Sequence, residues 1–236
     1  MFNRLAPYAG AWLLLQGVTG CSQKNDEAAA PIVSTEASQA TQGASRPAAD
    51  GKLVLAFGDS LYAGYGVLPQ QSFPARLERV LAAQGIAATV TNAGVSGDTT
   101  GAARRRLSFV LDGLARKPDL AMVNLGGNDM LRGIDPAETR ANLTAICEEL
   151  KRRGIPILLT GMVAAPNMGA DYAGKFNPIY ADLAKRYDAA LYPFFLGGVV
   201  TRPELMQPDR VHPTPAGIDT IVGKVAPLVA KTLKSQ

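Results

Sequence analysis

The single histidine of this 236-residue chain, His212, lies three residues after Asp209 in the segment Pro208-Asp209-Arg210-Val211-His212-Pro213. Prolines at both ends keep that segment from being helical. A turn of this spacing can bring a carboxylate to the imidazole Nδ1–H, which sets the tautomer and leaves Nε2 free as a base. Such a base needs a nucleophile, and two serines sit in glycine-rich settings. Ser60 lies in Phe57-Gly58-Asp59-Ser60-Leu61-Tyr62, and Ser96 in Asn92-Ala93-Gly94-Val95-Ser96-Gly97. Neither occupies a G-x-S-x-G elbow, which argues against a standard α/β-hydrolase. Acyl transfer also requires donors for a developing oxyanion. The chain offers the backbone N–H of Gly94 and the side-chain amide of Asn128 in Gly126-Gly127-Asn128-Asp129. Taken alone, that last run reads equally well as a plain turn.

Other chemistries are less well supplied. The stretch from Gly94 to Gly101 has no Lys-Ser/Thr pair after its final glycine, so it is not a Walker loop. Gly64-Tyr65-Gly66 lacks the third glycine of a dinucleotide fingerprint, because position 69 is proline. One histidine and two separated cysteines do not make a metal set, so neither metal nor cofactor is expected. The net charge is only +4, and the densest basic cluster, Arg104-Arg105-Arg106, lies in a helix-like segment without interleaved aromatics. That pattern reads as a solvated helix face, and nucleic acid is not an expected partner.

These residues need a scaffold to bring them together, and the chain beyond residue 50 alternates in the required way. Lys52–Phe57 is a continuous apolar run, as a buried parallel strand should be. Further strands are expected at Ala88–Asn92, Leu120–Leu125, Ile155–Thr160 and near Ala190–Tyr192. Helices are expected at Ser72–Ala83, at Thr99–Leu114, from Asp135-Pro136-Ala137-Glu138 onward, at Phe176–Tyr187 and over about Pro215–Leu233. Cys147 falls on the apolar face of the third of these, with Leu143, Ile146 and Leu150, where it reads as a small core hydrophobe. Strand–helix alternation of this kind predicts one α/β domain over 51–236 with an open parallel sheet of about five strands. Ligands of such sheets bind beyond the carboxyl ends of the strands. The Ser60, Gly94 and Asn128 loops, together with the Asp209–His212 segment, should therefore gather at one rim.

In order along the chain, Gly58-Asp59-Ser60-Leu61, Gly94, Gly126-Gly127-Asn128-Asp129 and Asp209-Arg210-Val211-His212 resemble the four blocks of the GDSL/SGNH hydrolases. The resemblance spans about residues 52–233. It is nearest to bacterial thioesterase I/lysophospholipase-like arylesterases, through FGDSLYAGYGV, NAGVSGDTT and LGGNDMLRG. It implies a three-layer αβα sandwich with a flavodoxin-like sheet, and hydrolysis of acyl esters or thioesters through an acyl-enzyme, as in an arylesterase, acyl-CoA thioesterase or lysophospholipase. By the same resemblance Ser60 is the nucleophile, His212 the base and Asp209 its orienting acid. Ser60 N–H, Gly94 N–H and Asn128 form the oxyanion hole, while Asp59 and Asp129 are structural acceptors. Tyr62 departs from the small residue usual in relatives and is expected to narrow or cap the acyl pocket. The segment Met162 to Lys175 borders that pocket in relatives, and Tyr172 within it and Phe176 just after it are expected to line the pocket. Two alternatives stand beside this reading: a non-catalytic periplasmic ligand-binding lipoprotein, and a carbohydrate O-deacetylase of the same fold.

The N-terminus carries a different signal. Arg4 precedes an uncharged stretch, Ala9 to Val18, containing Trp12-Leu13-Leu14-Leu15. A stretch of about ten residues suits a signal peptide and is too short to span a bilayer. Val18-Thr19-Gly20-Cys21 resembles a bacterial lipobox, so residues 1–20 are expected to be removed and Cys21 to be acylated. Residues 21–50, rich in Ala, Ser, Thr, Gln and Pro, cannot build a core and read as a tether with a span of about 30 Å. The expected location is the bacterial cell envelope, anchored by lipid and facing the periplasm. Ser22, rather than Asp, after the cysteine points to the outer membrane.

Overall fold

A computed structural model describes residues 51–235; the segments expected to be a signal peptide and a tether, with Cys21 between them, lie outside the described residues. The chain begins with β1 (Lys52–Gly58), whose residues Leu53 to Phe57 are at most 1% exposed. Such a strand, apolar on both faces, is stable only with helices packed above and below it. Its successors are a single-turn helix α1 (Ser60–Ala63), α2 (Phe73–Ala83), β2 (Ala88–Gly94), α3 (Thr100–Asp112) and β3 (Leu120–Asn124). There follow a short α4 (Gly127–Leu131), α5 (Pro136–Arg152), β4 (Ile157–Thr160), α6 (Ala170–Phe176), α7 (Ile179–Tyr187), β5 (Ala190–Tyr192) and α8 (Pro215–Lys234).

The five strands are parallel in the order β2-β1-β3-β4-β5. This is the flavodoxin-like order. α2 packs against α8, while α3 packs against α5, and α5 in turn against α6 and α7. The helix boundaries follow from ordinary caps. Thr99, Asp135 and Thr214 each accept a backbone N–H from the first turn of α3, α5 and α8, with proline opening the last two. Ser72 precedes α2 as expected, yet its hydroxyl donates to Pro69 O (2.8 Å) and does not cap the helix. The single helix expected at Phe176–Tyr187 is divided in two around Asn177-Pro178, and its first half begins earlier, at Ala170. Cys147 is buried in the core, which pushes its thiol up to about 12. No helix among the described residues is long and apolar enough to cross a membrane.

Tyr62 corrects an expectation. It neither narrows nor caps a pocket, because its ring is fully buried beneath α1. It stacks on Phe73 (centroids 5.0 Å, interplanar angle 9°) and meets Phe195 edge-on at 5.5 Å. Its hydroxyl lies 2.9 Å from Thr160 Oγ1. Thr160 directs its own proton to Val123 O (3.3 Å), so the tyrosine O–H is the donor. A large aromatic beside Ser60 is therefore a packing element, and its polar tip is satisfied inside the core. Tyr62→Phe should lower unfolding free energy by about 1 kcal/mol, the usual net worth of such a bond. Chemical denaturation measures this; an unchanged midpoint would mean the Thr160 bond contributes nothing.

Candidate active site

Gly58 ends β1 beside Asn124, the last residue of β3, at the point where the strand order reverses. From Gly58 the chain turns directly into α1. Asp59 is its N-cap, accepting Leu61 N–H at Oδ1 (3.0 Å), and Ser60 is its first residue. A residue at that position has no intrahelical partner for its N–H, and among the described residues the Ser60 N–H has no acceptor.

His212 is held by a compact loop. Met206 and Pro213 form an isolated antiparallel bridge, and Gln207 N–H donates to His212 O (2.7 Å). The Gln207 side chain donates to Pro213 O (3.0 Å) and to Tyr65 O (2.8 Å), tying this loop to the one that follows α1. Within the turn, Asp209 Oδ1 accepts Val211 N–H (2.9 Å) and His212 N–H (3.0 Å). Its Oδ2 lies 2.7 Å from His212 Nδ1, and His212 Nε2 lies 2.9 Å from Ser60 Oγ. Desolvation alone would raise the Asp209 carboxyl, but the bonds from the His212 ring and the two backbone N–H groups outweigh it and hold the group at about 2. It is thus a carboxylate at neutral pH, and with Nδ1–H turned to it, Nε2 can take the serine proton. Ser96, the other candidate nucleophile, lines the same groove but is not the serine bonded to the imidazole.

Gly94 is displaced from the oxyanion position. β2 runs on through Gly94, which pairs with Gly58, so this glycine still belongs to the sheet. Its N–H is taken by Asn92 Oδ1 (2.9 Å). A Cβ there would press on Ala63 N and stand 2.8 Å from Asp59 O, so glycine serves the close approach of β2 to α1. Gly97 occupies the groove instead: it is one of the lining residues, has φ +84°, and its N–H has no acceptor among the described residues. Gly97 O accepts from Arg132 Nη2 (2.8 Å). Asn128 also lines the groove, with Nδ2 3.0 Å from Asp98 O and a longer 3.4 Å from Asp59 Oδ2. The longer contact leaves one amide proton weakly engaged.

Around this constellation runs a groove of about 560 Å³. Its walls are largely apolar, from Leu61, Met130, Met162, Pro166, Phe194 and Leu196 among others. The segment after β4 does border the groove, but through Met162 to Pro166. Tyr172 and Phe176 lie outside it, which corrects their expected role. Phe176 is fully buried against Tyr172 and Tyr180, and Tyr172 O–H donates to Ile134 O (3.1 Å). Tyr65 is an unanticipated wall residue, its ring 4.4 Å from that of His212. Arg106 is another residue that composition concealed: its guanidinium lies 4.3 Å over the Phe57 ring, pairs with Asp98 (2.6 Å) and donates to Gly58 O (3.0 Å).

Asp59 is fully buried, and burial pushes its carboxyl up to about 7, with Asp129 and Asp98 adding to the rise against the Leu61 N–H bond. Between the ordinary value of 3.8 and about 7 the folded state therefore holds a proton that the unfolded state has released. Stability should fall as pH rises through that window and level off above it. Asp59→Asn should flatten this part of the profile in urea melts from about pH 4 to 8; a slope identical to that of the native chain would contradict the assignment.

Comparison with known proteins agrees with this geometry. The model of the GDSL-like lipase/acylhydrolase family matches residues 56–219. An arylesterase of Vibrio mimicus is 38% identical over 180 residues, covering 76% of this chain and 89% of that protein. The thioesterase 1/protease 1/lysophospholipase L1 of Escherichia coli is 37% identical over 186 residues, covering 77% and 86%. Among solved structures, AlinE4, described as an SGNH-hydrolase family esterase, shares 55% identity and a TM-score of 0.67, covering 77% of this chain and 96% of that one. With its sheet order, its serine–histidine–aspartate chain and these matches in agreement, the protein belongs to the GDSL-like lipase/acylhydrolase family.

Proposed function

We propose that the protein hydrolyses esters and thioesters of apolar acyl groups through an acyl-enzyme on Ser60. The observation that carries this reading is the unbroken Ser60 Oγ–His212–Asp209 chain, at 2.9 and 2.7 Å, opening into an apolar groove of about 560 Å³. Ser60 Oγ attacks the carbonyl carbon while His212 Nε2 takes its proton. The carbonyl oxygen becomes an oxyanion, received by the Ser60 and Gly97 N–H groups and by the weakly engaged Asn128 amide proton. Collapse breaks the bond to the leaving oxygen or sulfur, which takes the proton from Nε2. Water, deprotonated by the same nitrogen, then attacks the acyl carbon and releases the acid and the free serine.

The site supplies positive and dipolar groups where charge develops, and Asp209 stabilises the imidazolium without itself taking the proton. The groove walls provide apolar area and few hydrogen-bond partners, which suits an acyl chain or an aryl group better than a sugar. Ser60→Ala should abolish turnover of p-nitrophenyl butyrate. Asn128→Ala should lower kcat about 10²-fold or more, as for other oxyanion donors. Full activity in Ser60→Ala would overturn the mechanism, and an unchanged kcat in Asn128→Ala would remove that residue from the oxyanion site.

The domain is further proposed to work at the periplasmic face of the bacterial envelope, in the outer membrane, tethered by lipid on Cys21. The support is in the sequence: the apolar stretch ending at Val18-Thr19-Gly20-Cys21 and the core-less residues 22–50 that follow. Cys21→Ala should move the protein from the membrane to the soluble fraction on cell fractionation; unchanged membrane association would contradict the anchor.

A further inference from the structure

We infer that Arg210 selects the leaving group, favouring esters and thioesters whose alcohol or thiol carries a negative charge. This rests on the esterase reading. The leaving atom must take its proton from His212 Nε2, so it departs on the imidazole side. What lies beyond that atom meets the residues flanking the imidazole: Tyr65, over the ring at 4.4 Å, and the Asp209–His212 turn. Arg210 is the middle of that turn, is exposed and lines the groove.

Its charge is not spent elsewhere. Among the described residues no carboxylate pairs with Arg210 and no acceptor binds its guanidinium. The acids nearby are engaged: Asp209 with His212 and two backbone N–H groups, Asp98 with Arg106, and Asp59 buried on Leu61 N–H. Beside that buried Asp59, Arg210 is the one lysine or arginine among the groove-lining residues, and its guanidinium is the group there free to meet an anion.

The backbone strengthens the case. Arg210 has φ +57°, one of two non-glycine residues with positive φ among those described. Glycine would adopt that conformation more readily, and strain at a ligand-facing residue is a pointer to function. The turn is held in it by the Asp209 bonds and by Arg210 N–H donating to Gln207 O (2.9 Å). A long cation therefore stands in a left-handed turn beside the departing group, where an unbranched glycine would have built the same loop.

The test compares 4-carboxyphenyl butyrate with its neutral methyl ester. The readout is the ratio of their kcat/KM values, in which the intrinsic reactivity of each ester cancels between variants. Arg210→Gln and Arg210→Gly should lower the anionic-to-neutral ratio about two- to fivefold, the size of one exposed charge contact. Arg210→Lys should retain most of it, and high salt should bring the native ratio toward that of Arg210→Gln. The glycine variant relieves the backbone, so its loss cannot come from a misbuilt turn. The same ratio measured on butyryl glycerol 3-phosphate against butyryl glycerol, and on a butyryl thioester of a phosphorylated against an unphosphorylated thiol, tells a lipid-type from a thiol-type source. A ratio unchanged in both Arg210→Gln and Arg210→Gly would overturn the inference while leaving the esterase intact. Failure of the native protein to hydrolyse any of these esters would overturn both.

Discussion

The sheet reverses its strand order between β1 and β3, and the site depends on that reversal. Gly58 and Asn124 stand side by side at the carboxyl edge, and from there the two chains enter α1 and α4. The crevice left between diverging connections is where open parallel sheets bind ligands. In this molecule it receives Ser60 at the first position of one short helix and Asn128 within the other. A site assembled from loops alone would be loose, since loops are the more mobile parts of a fold. The connections that carry Ser60 and Asn128 are only a residue or two long before a helical turn begins.

Buried polar groups then lock these connections to each other. Asp129 accepts the Thr100 N–H (2.8 Å) and the hydroxyls of Thr100 and Thr139, joining α4 to the starts of α3 and α5. Arg106 joins α3 to the end of β1 and to Asp98, whose carbonyl in turn holds Asn128. Gln207 joins the His212 loop to Tyr65. Each of these bonds is intramolecular and already formed, so the donors proposed to receive an oxyanion need little reorganisation when charge appears. Asp59 shows the cost of such density: burial first, and the neighbouring Asp129 and Asp98 after it, push its carboxyl up to about 7.

Much of this was legible in the sequence, for physical reasons that differ by element. β1, β3 and β4 are legible because both their faces are buried, and the caps at Thr99, Asp135 and Thr214 because helix ends need side-chain acceptors. His212 stood out through its uniqueness and its spacing from Asp209. Gly94 reads as a loop glycine because the apolar pattern fades after Val90, which suggests a strand ending at Asn92, while the ladder continues to Gly94. Once the strand is extended, Gly97 is the glycine that lies beyond the sheet, just before the α3 cap at Thr99, and that cap was the available signal. Tyr62, Tyr172 and Phe176 show the limit of composition: an aromatic near a site can as easily support it from within the core. Tyr65, Arg106 and Gln207 give no signal, since Gly58 is distant in sequence from Arg106, and Tyr65 from both His212 and Gln207.

The account turns on Ser60 forming a covalent acyl intermediate with His212 as its proton carrier. The most direct measurement is acid quench of the protein during turnover of a slow ester, followed by peptide mass analysis. The account predicts the acyl mass on the peptide containing Ser60, absent in Ser60→Ala and accumulating more slowly in His212→Ala. Turnover with no acyl adduct on Ser60, or an adduct on Ser96 instead, would contradict it.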